Sequence, residues 1–252
     1  MLFRSQFELY YQPQVRADTG RVEGFEALLR WNHPVRGVLA PHIFIDVAEE
    51  TGLIVPLGLQ VLNMACAEAA TWPDDTYVTV NVSPVQLMSS GFGSAVNDAL
   101  EASGLSGKRL QLEITETASM QNVVEVREIF GGLRQRGIRL SIDDFGTGYS
   151  SLSKLKSLSV DDLKIDKSFI ADIKIDAGAG NFAIVEAIVA MARTLNIQVV
   201  AEGVETPLQL DVLRRLECDY SQGYLFSKPL PPDEFAQLLA RGVLPVDVAD
   251  SA

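Results

Sequence analysis

The chain is poor in the residues that most metal and nucleophile chemistries need. It holds two cysteines and two histidines in 252 residues. Cys66 and Cys218 stand in no CxxC or Cys/His spacing, so no zinc site is indicated. Two cysteines so far apart suit a reducing cytosol at least as well as one disulfide. Cys66, inside the apolar run VLNMACAEAA, reads as a buried structural thiol. His33 and His42 are too few for a histidine-based mechanism, and His33 reads as a turn residue before Pro34. Positive charge is also short. Lys and Arg number 21 against 33 Asp and Glu, a net charge of −12, which repels duplex nucleic acid and anionic membrane surfaces. There is no Walker GxxxxGK[ST] loop and no GxSxG elbow. No apolar run reaches membrane-spanning length, and no charged-then-apolar leader opens the chain. The expected place is the cytoplasm, or the cytoplasmic domain of a membrane-bound protein. Linkers, low-complexity runs and internal repeats are absent too.

What is present is core material and alternation. Hydrophobic residues make up 47% and charged residues 21%, the balance of a globular domain. The length suits a single domain, here 1–252 with a core over about 5–243, and the early entry into the fold suits a domain cut from a longer chain. Strand-like runs fall at Glu8–Gln12, Val22–Leu28, Tyr77–Asn81, Leu110–Ile114, Ile138–Ile142, Asp162–Ile165, Ile197–Ala201 and Tyr220–Phe226. Helical patterns lie between most of them: from Pro41, over Leu57–Ala70, Ala95–Ser103, Val123–Arg136, Leu152–Ser157, Phe182–Leu195 and Leu208–Leu216, and then over Pro232–Ala240. Repeated strand–helix alternation predicts an α/β fold of the (β/α)8 TIM-barrel type. Only a turn (ADTG) joins the first two strands, so they must be antiparallel. The expectation is a barrel variant with an antiparallel first strand.

Barrel chemistry sits on the carboxyl ends of strands. Those ends are polar in this chain: Glu26 closes VEGFE, Asn81 closes YVTVN, Glu113 closes LQLE, and Asp143 with Asp144 closes RLSIDD. Lys164 and Asp166 close DDLKID, Glu202 closes QVVAE, and Gln222 lies in the eighth strand region. Each alone reads as a helix cap or a solvated loop residue. Together they predict one acidic mouth, which hard divalent cations such as magnesium or manganese would neutralise. The Asp143–Asp144 pair could bridge two metals about 3.5–4 Å apart. Gly146 and Gly148, just after the two acids, suggest an active-site loop. Trp31 and Trp72 read as packing residues.

These residues resemble the EAL domain family of cyclic di-GMP phosphodiesterases. The resemblance rests on EALLRW at 26–31, on Gln12-Pro13, His33-Pro34, Asn81-Val82-Ser83 and Glu113-Ile114-Thr115-Glu116, and on DDFGTGYSSL at 143–152. It continues through LKID at 163–166, AEGVET at 201–206 and QGYLFSKP at 222–229, in order over nearly the whole chain. It implies two Mg2+ or Mn2+ ions per active site and cleavage of cyclic di-GMP to linear pGpG. Glu26, Asn81, Glu113 and Asp143 would hold one metal. Asp143, Asp144 and Glu202 would hold the other, with Asp143 bridging. Lys164 would position the attacking water, and Glu202 would also be the general base. Gln12, Arg30, Asp166, Glu205 and Gln222 would lie on the substrate side. Glu116 and the loop Phe145–Ser150, with Phe145, Gly146, Gly148 and Ser150, would couple the metals to substrate and to a homodimer contact. Sensor or GGDEF-type domains would belong to a longer parent chain. Two departures are visible: Gln14 replaces an apolar residue, and Glu217 replaces a common glycine before Cys218. A catalytically silent receptor or protein-interaction module on the same fold is the alternative. An enolase-type barrel enzyme would explain the acids but not the ordered blocks.

Overall fold

The computed structural model describes residues 6–121, 123–147, 152–173 and 180–241. Its strands are β1 (Phe7–Arg16), β2 (Val22–His33), β3 (Gly37–Leu39), β4 (Tyr77–Asn81), β5 (Leu110–Thr115), β6 (Arg139–Phe145), β7 (Asp162–Ile165), β8 (Gln198–Ala201) and β9 (Tyr220–Ser221). Neighbours run β1-β2-β4-β5-β6-β7-β8-β9 and return to β1, which closes an eight-stranded barrel. Strand β1 is antiparallel to both β2 and β9. Every other pair in the ring is parallel. The short connection explains the inversion: Arg16 N donates to Arg21 O and Gly20 takes φ 72, a left-handed turn that glycine adopts without strain.

Strand alternation sorts side chains into two layers. On β5, Leu110, Leu112 and Ile114 face outward and are fully buried. They form one core with the surrounding helices, among them Ile54–Ala69, Phe92–Ser103, Val123–Arg134 and Pro207–Arg215. At the β1–β2 wall, Trp72 packs with Tyr11, Phe25 and Phe235 at ring separations of 5.1–5.4 Å. This cluster docks the helix Pro232–Arg241 and confirms Trp72 as a packing residue. Trp31 likewise stacks on Phe7 and meets Phe44 and His33 edge-on. Both cysteines are buried and unpaired with each other.

Barrel interiors are usually filled by branched apolar side chains. In this chain the inward face is polar. Gln111 and Glu113 face inward from β5, and Ser141, Asp162 and Lys164 are all at most 1% exposed. Near the amino ends of the strands, Arg139 lies 4.8 Å over the Tyr77 ring and donates to Asp162 at 2.8 Å and Gln198 at 3.0 Å. Asp162 is buried, and its charge-assisted bonds to the half-buried Arg139 satisfy it at the amino end of the barrel.

Three expectations about elements need correction. The last strand ends at Ser221 rather than reaching Phe226. The chain turns at Gln222, whose carbonyl accepts from Val204 N, and Leu225 N donates to Val204 O. Gly223 makes this approach possible, because a β-carbon there would lie 2.2 Å from Val204 O. The segment after Pro41 is a 3-10 turn, Pro41–Ile43, and then a separate helix, Ile45–Glu50. Strand β3 and the helices Pro84–Leu87, Glu116–Gln121 and Lys167–Ala171 have no counterpart among the expected elements. They are too short for periodicity to register.

Candidate active site

Parallel register brings the strand ends to one mouth. Gln12 lies opposite Glu26, Asn81 beside Glu113, and Thr115 beside Asp143. At its centre is Lys164, fully buried. Its Nζ lies 2.6 Å from Glu202, 2.8 Å from Glu113, 3.4 Å from Glu26 and 3.6 Å from Asp143. Burial alone would lower the ammonium's pKa, but these four carboxylates outweigh it and hold the group charged.

The acids do not all respond alike. Glu26 is buried, which raises its pKa, yet Lys164 and the amides of Asn81 and Gln222 more than offset this and leave it below the ordinary range. Asn81 Nδ2 donates to Glu26 Oε1 at 2.7 Å, and Gln222 Nε2 to Oε2 at 2.6 Å. Burial pushes Glu113 well up, with Glu26 and Asp143 adding to the effect. Burial also pushes Glu202 up to about 7, against the pull of Lys164. Asp144 is raised by burial and by Asp143 and Asp166. Five carboxylates facing one ammonium are short of positive charge.

Neighbouring residues on a strand point to opposite faces, so Asp143 and Asp144 should not both reach the mouth. A register shift between Ile142 and Phe145 on β6 changes that. Asp144 takes φ 54, and its N–H bonds to Asp143 Oδ1 at 2.8 Å. Aspartate tolerates this left-handed conformation better than most residues. The result is that Asp143, Asp144 and Glu202 each bring an oxygen within 4.8 Å of the others. The donors fit hard divalent cations: oxygen ligands throughout, and a fully buried Glu113 Oε1 with no partner.

Beneath the acids lies an amide relay that sequence reasoning missed in part. Gln222 Nε2 also reaches Gln12 Oε1 at 3.0 Å, Gln14 Nε2 donates to Gln222 Oε1 at 3.0 Å, and Gln12 Nε2 donates to Ser227 O at 3.0 Å. The available signal was the spacing of two between Gln12 and Gln14, which places both on the inward face of β1. Gln14 is thus a partner of Gln222 and no mere departure. Glu217 takes φ 58, which explains why glycine suits that position.

Other expected residues lie further out. Arg30 donates to Leu29 O at 2.8 Å and sits 5.1 Å over the Tyr10 ring, at the rim. Tyr224, 58% exposed, stands on the same rim with Lys228 5.6 Å from its ring; neither was singled out from sequence. Asp166 caps the helix Lys167–Ala171 through Ser168 N at 3.0 Å, the bland role weighed for it. Glu205 is exposed in the turn before Pro207–Arg215, where its N–H donates to Gln209. Glu116 Oε2 accepts from Gly146 N at 2.9 Å and so fixes the start of the loop behind Phe145. Gly148 and Ser150 lie outside the described residues.

Comparison with known proteins agrees with this geometry. The chain matches the EAL domain over residues 1–229. It is 45% identical over 243 residues to the bifunctional diguanylate cyclase/cyclic di-GMP phosphodiesterase MucR of Pseudomonas aeruginosa, covering 95% of this chain and 35% of that protein. It is 46% identical over 230 residues to the cyclic di-GMP phosphodiesterase NbdA of the same organism, covering 90% and 29%. The solved PaMucR phosphodiesterase in complex with c-di-GMP superposes with a TM-score of 0.88 at 44% identity, covering 92% of this chain and 95% of that one. The chain spans about a third of the length of these curated relatives. With a family match over most of its length and a barrel of the same build, the chain belongs to the EAL domain family.

Proposed function

We propose that this domain hydrolyses one phosphodiester bond of cyclic di-GMP to give linear pGpG, with two divalent cations, Mg2+ or Mn2+, bound at the barrel mouth. One observation carries this: four carboxylates converge on a single buried ammonium with Asp144 beside two of them, and a buried oxygen of Glu113 is left without a partner. Glu26, Asn81, Glu113 and Asp143 would hold one cation, and Asp143, Asp144 and Glu202 the other. When bound, such cations neutralise phosphoryl charge and acidify water.

The chain's own residues do the rest. Glu202, whose carboxyl burial raises when no cation is bound, stands where it can take a proton from the attacking water. Lys164 holds Glu202 in place and puts a fixed positive charge where negative charge develops on the phosphoryl oxygens. Water adds to phosphorus, the bond to the 3′-oxygen breaks, and that oxygen takes up a proton. Gln12 and Gln222, expected on the substrate side, spend their amides on each other, on Glu26 and on Ser227. We therefore assign them to orienting Glu26. Arg30 remains the rim group suited to a phosphate or a guanine edge, since its planar fork matches both. Asp166 and Glu205 would act at the edge of the same mouth. Among the described residues no helix is long and apolar enough to cross a membrane. On this reading the domain works in the cytoplasm, as a homodimer, within a longer protein that carries sensor or GGDEF-type domains.

Product analysis of cyclic di-GMP incubated with the purified domain, with and without Mn2+, tests the reading. Linear pGpG should form only with the metal, and Glu26→Ala should abolish it. Tight binding of the nucleotide with no product in excess Mn2+ would replace hydrolysis with a receptor role.

A further inference from the structure

One stretch of the barrel's inner wall carries polar groups that no other side chain answers. Gln111 on β5 and Ser141 on β6 are both 0% exposed. Among the described residues, neither amide atom of Gln111 nor the Ser141 hydroxyl has a hydrogen-bond partner, and Glu113 Oε1 is likewise without one. Register makes these groups neighbours. Glu113 lies directly opposite Ser141 across the β5–β6 pair, and Gln111 stands two residues earlier than Glu113 on the same face of β5. The interior groups around them are paired. Gln14 donates to Gln222 and accepts from Thr79 Oγ1 at 3.4 Å, Arg139 holds Asp162, and Lys164 takes Glu113 Oε2 at 2.8 Å.

Buried polar groups are rarely left unpaired, and interior water is the usual partner where several of them meet. Gln111 offers two N–H donors and a carbonyl acceptor, Ser141 a hydroxyl that does both, and each carboxylate oxygen two lone pairs. That set satisfies a water with three bonds: it accepts from Gln111 Nε2 and donates to Ser141 Oγ and to Glu113 Oε1. We infer that Gln111 and Ser141 form a water site inside the barrel, beneath the mouth, and that its water holds Glu113 from behind. With two lone pairs, Oε1 takes this bond and still presents a lone pair to a cation. Gln111 and Ser141 are thus positioning residues for Glu113: Lys164 fixes one carboxylate oxygen, and the water fixes the other. The water site stands on the buried wall alone. Its bearing on cation binding rests on the two-cation reading above.

Oxygen-17 magnetic relaxation dispersion detects slowly exchanging interior water and reads the site directly, in EDTA and without turnover. The native domain should exceed the Gln111→Met/Ser141→Ala double variant by about one water per chain or more. Equal dispersions overturn the water site. The electron paramagnetic resonance of free aqueous Mn2+ then reads the positioning role. Each single variant should weaken Mn2+ binding by about 10–100-fold. The double variant should lose no more than the larger single loss, because both residues act through one water. Unchanged affinity in the folded variants overturns the positioning role, and losses that add in full overturn the shared water. Gln111→Met nearly keeps the side-chain volume and Ser141→Ala removes only a hydroxyl; circular dichroism checks the fold of each. If Gln111→Met does not fold, Ser141→Ala alone decides both the water count and the Mn2+ affinity. No Mn2+ binding by the native domain overturns the two-cation reading, and the water count still judges the site.

Discussion

Replacing Lys164 with methionine keeps most of the side-chain volume and deletes only the charge, so it isolates what the ammonium does for the metal-free fold. The ammonium contacts Glu26, Glu113, Asp143 and Glu202, and Lys164 itself is 0% exposed. Removing one partner of a buried ionic cluster costs about 3–5 kcal/mol, because the charges left behind are uncompensated. In a domain of this size that corresponds to a fall in Tm of roughly 6–20 °C. The sign with pH separates charge from packing. Without the ammonium, the buried acids have folded-state pKa values raised above their unfolded ones. Their stabilising, protonated form is complete at low pH and is lost as pH rises through those raised values. In EDTA, thermal unfolding at pH 8 should show the full loss. At pH 5 the difference from the native protein should shrink to the cost of a volume-conserving swap, under about 1.5 kcal/mol. An equal loss at both pH values would refute the electrostatic argument and make Lys164 a packing residue.

Other perturbations test separate parts of the site and fold. Glu202, pushed up to about 7 by burial, should make the metal-free domain lose up to about 3 kcal/mol as pH rises from 4.5 to 7; urea unfolding in EDTA should show a flatter slope in Glu202→Gln. Gln222→Met, which cuts the bonds to Glu26 and Gln12, should weaken metal affinity or activity by about 10–100-fold, as read by calorimetric Mn2+ titration and by the rate of pGpG release. Trp72→Ala, at the junction of Tyr11, Phe25 and Phe235, should cost about 3–5 kcal/mol in chemical unfolding while leaving turnover per folded molecule unchanged.

The barrel and most of its mouth were legible because both depend on short-range rules. A two-residue alternation fixes which side chains face inward, and the turn at 17–20 forces β1 to run against its neighbours. What stayed hidden depends on where the rules are broken. Strict alternation on β6 would send Asp144 away from Asp143, and only the register shift and the left-handed backbone at Asp144 return it to the mouth. Asp166 matched the strand-end pattern equally well, yet its carboxylate caps a five-residue helix. No local pattern separates those two aspartates; the difference lies in how β6 and β7 end. Gln14 shows the reverse case. Read against the family pattern it was an oddity, but an inward residue of a polar barrel needs a partner, and Gln222 supplies one across 208 positions. A leucine at position 14 would leave the Gln222 side-chain oxygen Oε1 buried without that partner, at a cost of about 1–3 kcal/mol. The glutamine therefore belongs to the same amide chain that holds Glu26 at the barrel mouth.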